Sequence, residues 1–342
     1  MAGRRGKRRT SRPRRISFRT GLIAAAALGL WGLAGVWFVH HPRKWLDEKR
    51  AVWPQVATDA LFALGNPVSD VTDGLGWTGH DAVYEYDTEA PAGAVCFAGI
   101  PRRVGPPAPA DIVVLDRGSF KVGWSDTLRH PAWCAYHVVR KPAHKAGKRP
   151  GFFADRAVPK APRPDDYAHS GYDRGHMAPN YAIATRYGEA AQHKTFLMSN
   201  ISPQTPNLNR GVWRDVEHRI AEFWTARYGE IWVVVGCVPS RTGAKIPKTG
   251  IDIPDQFFQV VIAQEGMDVR ALAVVFPQDV AWDAWAARHL VSIDELEELT
   301  GLDFNPDLPA FIQDPLEADL PTRLWPVRLA DILSQIISRY PE

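Results

Sequence analysis

Cysteine and methionine are scarce in this chain, with three Cys and four Met among 342 residues. The three thiols, Cys96, Cys134 and Cys237, form no CxxC pair, which excludes a disulfide-stapled scaffold and a zinc ribbon. No segment repeats at a fixed period, so a solenoid or propeller is excluded as well. A dominant charge of one sign is also lacking. The formal balance is +3, yet residues 1–20 hold nine Arg or Lys and no acid. Taking those nine from the total of 41 leaves 32 basic against 38 acidic groups, a balance of −6 for the rest. Capture of a polyanion by overall charge is therefore excluded, and any such ligand needs a local basic groove. With 45% hydrophobic and 23% charged residues, a disordered chain is excluded too. Long apolar runs are absent but for one.

That run is GLIAAAALGLWGLAGVWFV, residues 21–39, without a single charge. At about 1.5 Å per helical residue it would span roughly 28 Å, close to the roughly 30 Å hydrocarbon core of a bilayer. The basic residues before it favour a cytoplasmic N-terminus, and Arg43 and Lys44 stop the run. The pattern predicts a single-pass signal anchor with the body on the non-cytoplasmic side, periplasmic or extracellular. A cleaved signal peptide and an organelle presequence compete with that reading. The first would want a small-residue cleavage site that GVWFVHH does not offer, and the second needs no apolar run of this length. The expected plan is a basic cytoplasmic segment over 1–20, a transmembrane anchor over 21–39 and a juxtamembrane helical linker over 40–91. A globular domain over 92–310 and a C-terminal helical tail over 311–342 complete it.

In the body, strand-like runs occur at 94–100 (AVCFAGI), 111–115, 119–124 and 132–139. Helical periodicity follows near 187–194 and at 209–228, where Trp213, Ile220 and Trp224 form one stripe. Strands return at 231–238, 256–263 and 270–276. Ser292 followed by Glu295 is a capping box opening SIDELEEL, and Gly301 closes that helix. Few βαβ units are visible, so the fold class predicted is α+β, an antiparallel β-sheet flanked by helices.

Chemistry concentrates between residues 149 and 217. YDRGHMAPN, Tyr172 to Asn180, places an acid, a guanidinium and an imidazole within four residues, before a helix-hostile Pro179. His176 titrates near neutral pH and can take a proton from water, while Arg174 can hold a phosphate in a bidentate fork. A base beside an oxyanion clamp is what phosphodiester hydrolysis requires. In LNRGVWRDVEHRI, Asn209, Trp213 and Glu217 recur every four residues and would share one helical face. On a straight helix Asn209 and Glu217 would lie about 12 Å apart along the axis. That favours Asn209 as a direct ligand to a hydrated Mg²⁺, with Glu217 bonded to the ion's waters. Taken alone, an N-terminal cap at Asn209 and a solvated acid at Glu217 would explain the same residues.

Taken together, DRGHMAPN (173–180), FLMSNISPQ (196–204) and LNRGVWRDVE (208–217) resemble the DNA/RNA non-specific endonucleases. These are the ββα-metal nucleases that include endonuclease G-like enzymes, and the resemblance covers roughly residues 92–310. It implies His176 as general base, Arg174 as stabiliser of phosphate charge and Asn209 as the side chain on the divalent ion. It further implies Glu217 as the acid steadying the ion's waters, and Arg149 as a further phosphate contact. Asn200 and Gln204 fall on recurrent polar positions assigned to substrate or to support of the site, and Asp173 is expected to orient backbone or His176. The cofactor implied is Mg²⁺, with Mn²⁺ as a substitute. The substrate implied is DNA and RNA, with little sequence preference because phosphate contacts carry no base code.

A catalytically silent domain that only binds nucleic acid at a membrane surface is the alternative from another class. The remaining histidines have no HExxH or Cys partners, which argues against zinc. Trp213 is expected in the core, and the cysteines in apolar strands, with one disulfide among them open in an oxidising compartment. The last helix expected, Val327 to Arg339, has an apolar face with two candidate partners: the body of the same chain, which is favoured, or a second copy in a homodimer.

Overall fold

A computed structural model describes residues 83–85, 94–140 and 142–327. The anchor over 21–39, the basic segment before it and nearly all of the last helix lie outside the described residues. Among the described residues no helix is long and apolar enough to cross a membrane.

The centre is an eight-stranded antiparallel sheet. Its strands are β1 (Val83–Glu85), β3 (Ile112–Asp116), β4 (Phe120–Ser125), β5 (His130–Val138), β8 (Ile231–Val238), β9 (Gln256–Glu265), β10 (Asp268–Pro277) and β11 (Leu290–Val291). The order runs β1-β10-β9-β8-β5-β4-β3, and β11 also pairs with β10. Two further pairs stand outside it, β2 (Arg102–Arg103) with β12 (Leu302–Asp303), and β6 (Asp173–His176) with β7 (Ile201–Gln204). Every residue of β5 and β8 is buried, so both faces of the sheet are covered. Neighbours on β9 show how. Phe257 meets Trp213 at 5.8 Å on one face, and Phe258 meets Phe304 at 5.4 Å on the other.

The helices are α1 (Asn180–Tyr187), α2 (Glu189–Thr195), α3 (Pro206–Arg210), α4 (Val212–His218), α5 (Thr225–Tyr228), α6 (Ile293–Thr300) and α7 (Ala310–Ala318). A π-helical turn, Arg219–Trp224, joins α4 to α5. The predicted antiparallel sheet flanked by helices is present, and the pair β6–β7 followed by α3 supplies the ββα element. The capping box of Ser292 and Glu295 forms, and Gly301 closes α6 in the left-handed region at φ 68°.

Four expectations are corrected. Residues 94–100 are irregular rather than a strand: Cys96 and Phe97 are buried, but Gly99 turns the chain at φ 88° and no ladder forms. Helix α1 begins directly after Pro179, because the N–H that proline lacks would have no intrahelical partner at a helix start in any case. Within the linker placed at 40–91, Val83–Glu85 is a strand of the main sheet. The tail placed after 310 is no separate unit, since Ile312 and Leu316 are buried and Trp325 packs on Trp224 and Tyr228 at 5.2 Å each. All three cysteines are buried free thiols.

Candidate active site

Strand alternation builds the first wall. On β6, Arg174 and His176 fall on one face and Asp173 and Gly175 on the other. Gly175 lies so close to the buried Gln204 amide that a Cβ there would collide with it. Two residues past His176, Asn200 fixes the backbone: its Oδ1 accepts from Ala178 N at 2.9 Å, and its Nδ2 donates to Ala178 O at 3.0 Å and Thr195 O at 2.9 Å. Asn200 and Gln204 are 1% and 0% exposed, so neither can touch substrate. Their assignment to substrate is corrected to support of the strand that carries the histidine.

The imidazole sits in a stack of rings and cations. Phe152 lies 5.2 Å and Phe196 4.7 Å from the His176 ring. The Arg174 guanidinium covers Phe152 at 4.9 Å, and that of Arg149 covers Phe196 at 5.6 Å. Burial, and then the charge of Arg149, lower the His176 pKa to about 3, so the ring is neutral at any working pH. Its Nε2 is buried with no hydrogen-bond partner among the described residues.

The second wall comes from α3 and α4. Thr205, not Asn209, caps α3, with its hydroxyl accepting from Leu208 N. The expected single helix is broken at Gly211, where φ −99° and ψ −121° leave helical space, so an axial separation taken from a straight helix does not apply. Asn209 lies in the last turn of α3, and Glu217 near the end of α4. Trp213 is in the core as expected, and its indole N–H donates to Glu217 Oε1 at 2.9 Å. Desolvation raises the Glu217 pKa to about 8, against the lowering effects of that bond and of Arg214 and Arg149.

Asp173 joins the two walls. Its Oδ2 accepts from Asn209 Nδ2 at 2.9 Å and from Arg210 Nε at 2.8 Å, and its Oδ1 from Arg210 at 2.6 Å. Asp173 thus orients Asn209 and Arg210, where backbone or His176 had been expected. A carboxylate can only accept, so the Asn209 amide is fixed with its carbonyl oxygen turned away from Asp173. Beyond α4, the buried Arg186 guanidinium bonds the Ala221 carbonyl of the π-turn and holds that wall in place.

Arg149, Arg174, His176, Asn209 and Glu217 all line one cleft of about 640 Å³. Asp173, Phe152, Arg210, Arg214, Tyr181 and His218 line it as well. Arg210 and Arg214 were not singled out in the sequence, although both sit inside LNRGVWRDVE. The hard oxygen donors Asn209 Oδ1 and Glu217 suit Mg²⁺ or Mn²⁺ rather than zinc, and an amide held by a carboxylate is a ready ligand. Asp173→Asn should therefore weaken divalent-ion affinity about 10- to 100-fold with little change in thermal midpoint, as titration calorimetry would measure.

A neutral imidazole, four guanidinium groups and two hard-oxygen donors in one cleft suit hydrolysis at a phosphodiester. A sequence model of the DNA/RNA non-specific endonuclease family matches residues 102–311, and the chain belongs to that family of nucleic-acid hydrolases. It is 29% identical over 220 residues to a nuclease of Nostoc sp., spanning 61% of this chain and 78% of the relative. It is 28% identical to the mitochondrial endonuclease G of Bos taurus, over 65% of this chain and 80% of the relative. With the mitochondrial nuclease EXOG of Danio rerio it shares 33% identity, over 55% of this chain and 59% of the relative. Among solved structures, an endonuclease G bound to its inhibitor aligns at a TM-score of 0.52 and 23% identity, covering 57% of this chain and 86% of that one. This last likeness bears on the fold alone.

Proposed function

We propose that this chain is a membrane-anchored, divalent-metal-dependent endonuclease that hydrolyses DNA and RNA with little sequence preference. The catalytic domain faces away from the cytoplasm. The observation that carries the chemistry is the meeting of His176, Arg149, Arg174, Asn209 and Glu217 around one cleft. Neutral His176 takes a proton from the attacking water. Arg174 and Arg149, braced on Phe152 and Phe196, stabilise charge gathering on the phosphate oxygens. Asn209 and Glu217 would hold Mg²⁺, which when bound supplies Lewis-acid stabilisation of the phosphate and the leaving 3′ oxygen. Contacts of this kind read the backbone and not the bases. The anchor reading rests on residues 21–39, whose length and lack of charge suit a bilayer.

The test uses the full chain in detergent on supercoiled plasmid and on RNA, with Mg²⁺, with Mn²⁺ and with excess EDTA. Nicking of both substrates with either ion and none in EDTA is the expected result. Undiminished nicking in EDTA overturns the metal assignment. Salt-sensitive binding without cleavage in any buffer overturns the enzyme and supports the silent binder. Extraction of the expressed chain from membranes by alkaline carbonate would overturn the anchor.

A further inference from the structure

The longest acid-free stretch that leads into the cleft has no role in the chemistry above. Residues 127–154 contain no Asp or Glu and six Lys or Arg, in a body whose overall balance is −6 once residues 1–20 are set aside. Within it, residues 142–149 are all exposed and run directly to Arg149, which lines the cleft. The loop is held rather than loose. Ala143 and His144 N–H both donate to Thr185 O at 2.9 Å, Gln192 Nε2 donates to Gly147 O at 3.3 Å, and Arg149 is seated on Phe196. Thr185 and Gln192 belong to α1 and α2, which follow directly on the DRGH strand. The loop therefore keeps a fixed place beside the site. Lys145 and Lys148 are exposed, and neither has a hydrogen-bond or ion-pair partner among the described residues.

We propose that Lys145 and Lys148 form an exosite that holds the phosphodiester backbone of a polynucleotide just outside the cleft, in line with Arg149. Four residues of extended chain reach at most about 14 Å. At about 3.4 Å per step along one strand of duplex, that covers up to about four nucleotides beyond the one being cut. A loop backbone already held at Ala143, His144 and Gly147 loses little freedom on binding, and each phosphate its lysines neutralise releases condensed counterions. The exosite makes the enzyme favour long substrates over short ones, without reading sequence. It rests on the nuclease reading for its substrate.

The experiment compares the full chain with its Lys145→Gln/Lys148→Gln variant on a 40-base-pair duplex and on a two-nucleotide single strand, too short to reach past the cleft, across a salt series. On the duplex, kcat/KM should fall about tenfold at low salt. The slope of log kcat/KM against log salt should become shallower by about 1.8, since each phosphate left without its lysine takes about 0.9 from it. On the short strand, kcat/KM should be unchanged. Equal losses on both substrates, or an unchanged slope, overturn the exosite. Binding of a fluorescent 40-base-pair duplex in EDTA is measured in parallel. If the wild type cleaves nothing, the nuclease reading fails, while weaker binding by the variant still supports the exosite and equal binding rejects it. A variant that keeps duplex cleavage and its slope, but loses preference for phosphatidylserine over phosphatidylcholine vesicles, assigns the loop to an anionic membrane surface and overturns the proposal.

Discussion

Replacing His176 by alanine should lower kcat on plasmid DNA by about 10²- to 10⁴-fold, the range for loss of a positioned general base, with KM within about twofold of wild type. The expectation follows from where the ring sits. Arg149 and Arg174 lie on Phe196 and Phe152, so phosphate binding survives removal of the imidazole between them. Folding should survive as well, because β6 is pinned by its pairing with β7 and by the bonds from Asn200 to Ala178. A thermal midpoint close to wild type, beside a collapsed turnover, is the paired measurement. If KM rises sharply while kcat holds, His176 is a binding group and the assignment of the base is wrong.

The pH profile carries a second part of the same prediction. With its pKa near 3, His176 stays neutral through the physiological range and cannot produce an acid limb there. An acid limb between pH 6 and 8 therefore has to come from another group.

Much of this site was legible because its residues lie in short segments with local rules. In Asp-Arg-Gly-His an imidazole and a guanidinium stand two residues apart, near one another in any local structure, although the strand that puts them on one face was not expected. The main strands were equally legible, since β8 is an unbroken Val-rich run over Ile231–Val238. What stayed hidden depends on contacts across the chain. Asp173 and Asn209 are 36 residues apart, and nothing local says that the acid holds the amide rather than the histidine. The helical pattern expected over 209–228 runs through Gly211, yet that glycine separates α3 from α4, and both Asn209 and Glu217 line one cleft. The run at 94–100 has strand composition, but its burial is met by packing on β8, where Phe97 lies 5.3 Å from Trp232 and the Trp232 indole donates to Ala94 O at 3.0 Å. Apolar composition reports burial; it does not report pairing.

The second large effect concerns Asn209 and Glu217, the two oxygen donors of the metal-competent wall. Asn209→Ala should abolish the response of activity to Mg²⁺ and reduce turnover by at least about 100-fold, because it removes the one neutral oxygen that Asp173 holds in place. Glu217 sets how that response depends on pH. Its carboxyl is pushed up to about 8 by burial, so in the ion-free protein it is protonated at pH 6 and loses the proton as the pH rises through about 8. A cation competes with that proton. Apparent Mg²⁺ affinity should therefore fall towards a limit of about tenfold per pH unit below about 8, about 50-fold between pH 8 and pH 6, with proton release on binding close to one at pH 6. Glu217→Gln should bind the ion more weakly at pH 8 and show a flat profile, because no proton is left to displace. Calorimetry in buffers of different ionisation enthalpy counts that proton directly. A wild-type affinity that does not change between pH 6 and pH 8 would separate Glu217 from the metal and leave Asn209 to hold the ion without it.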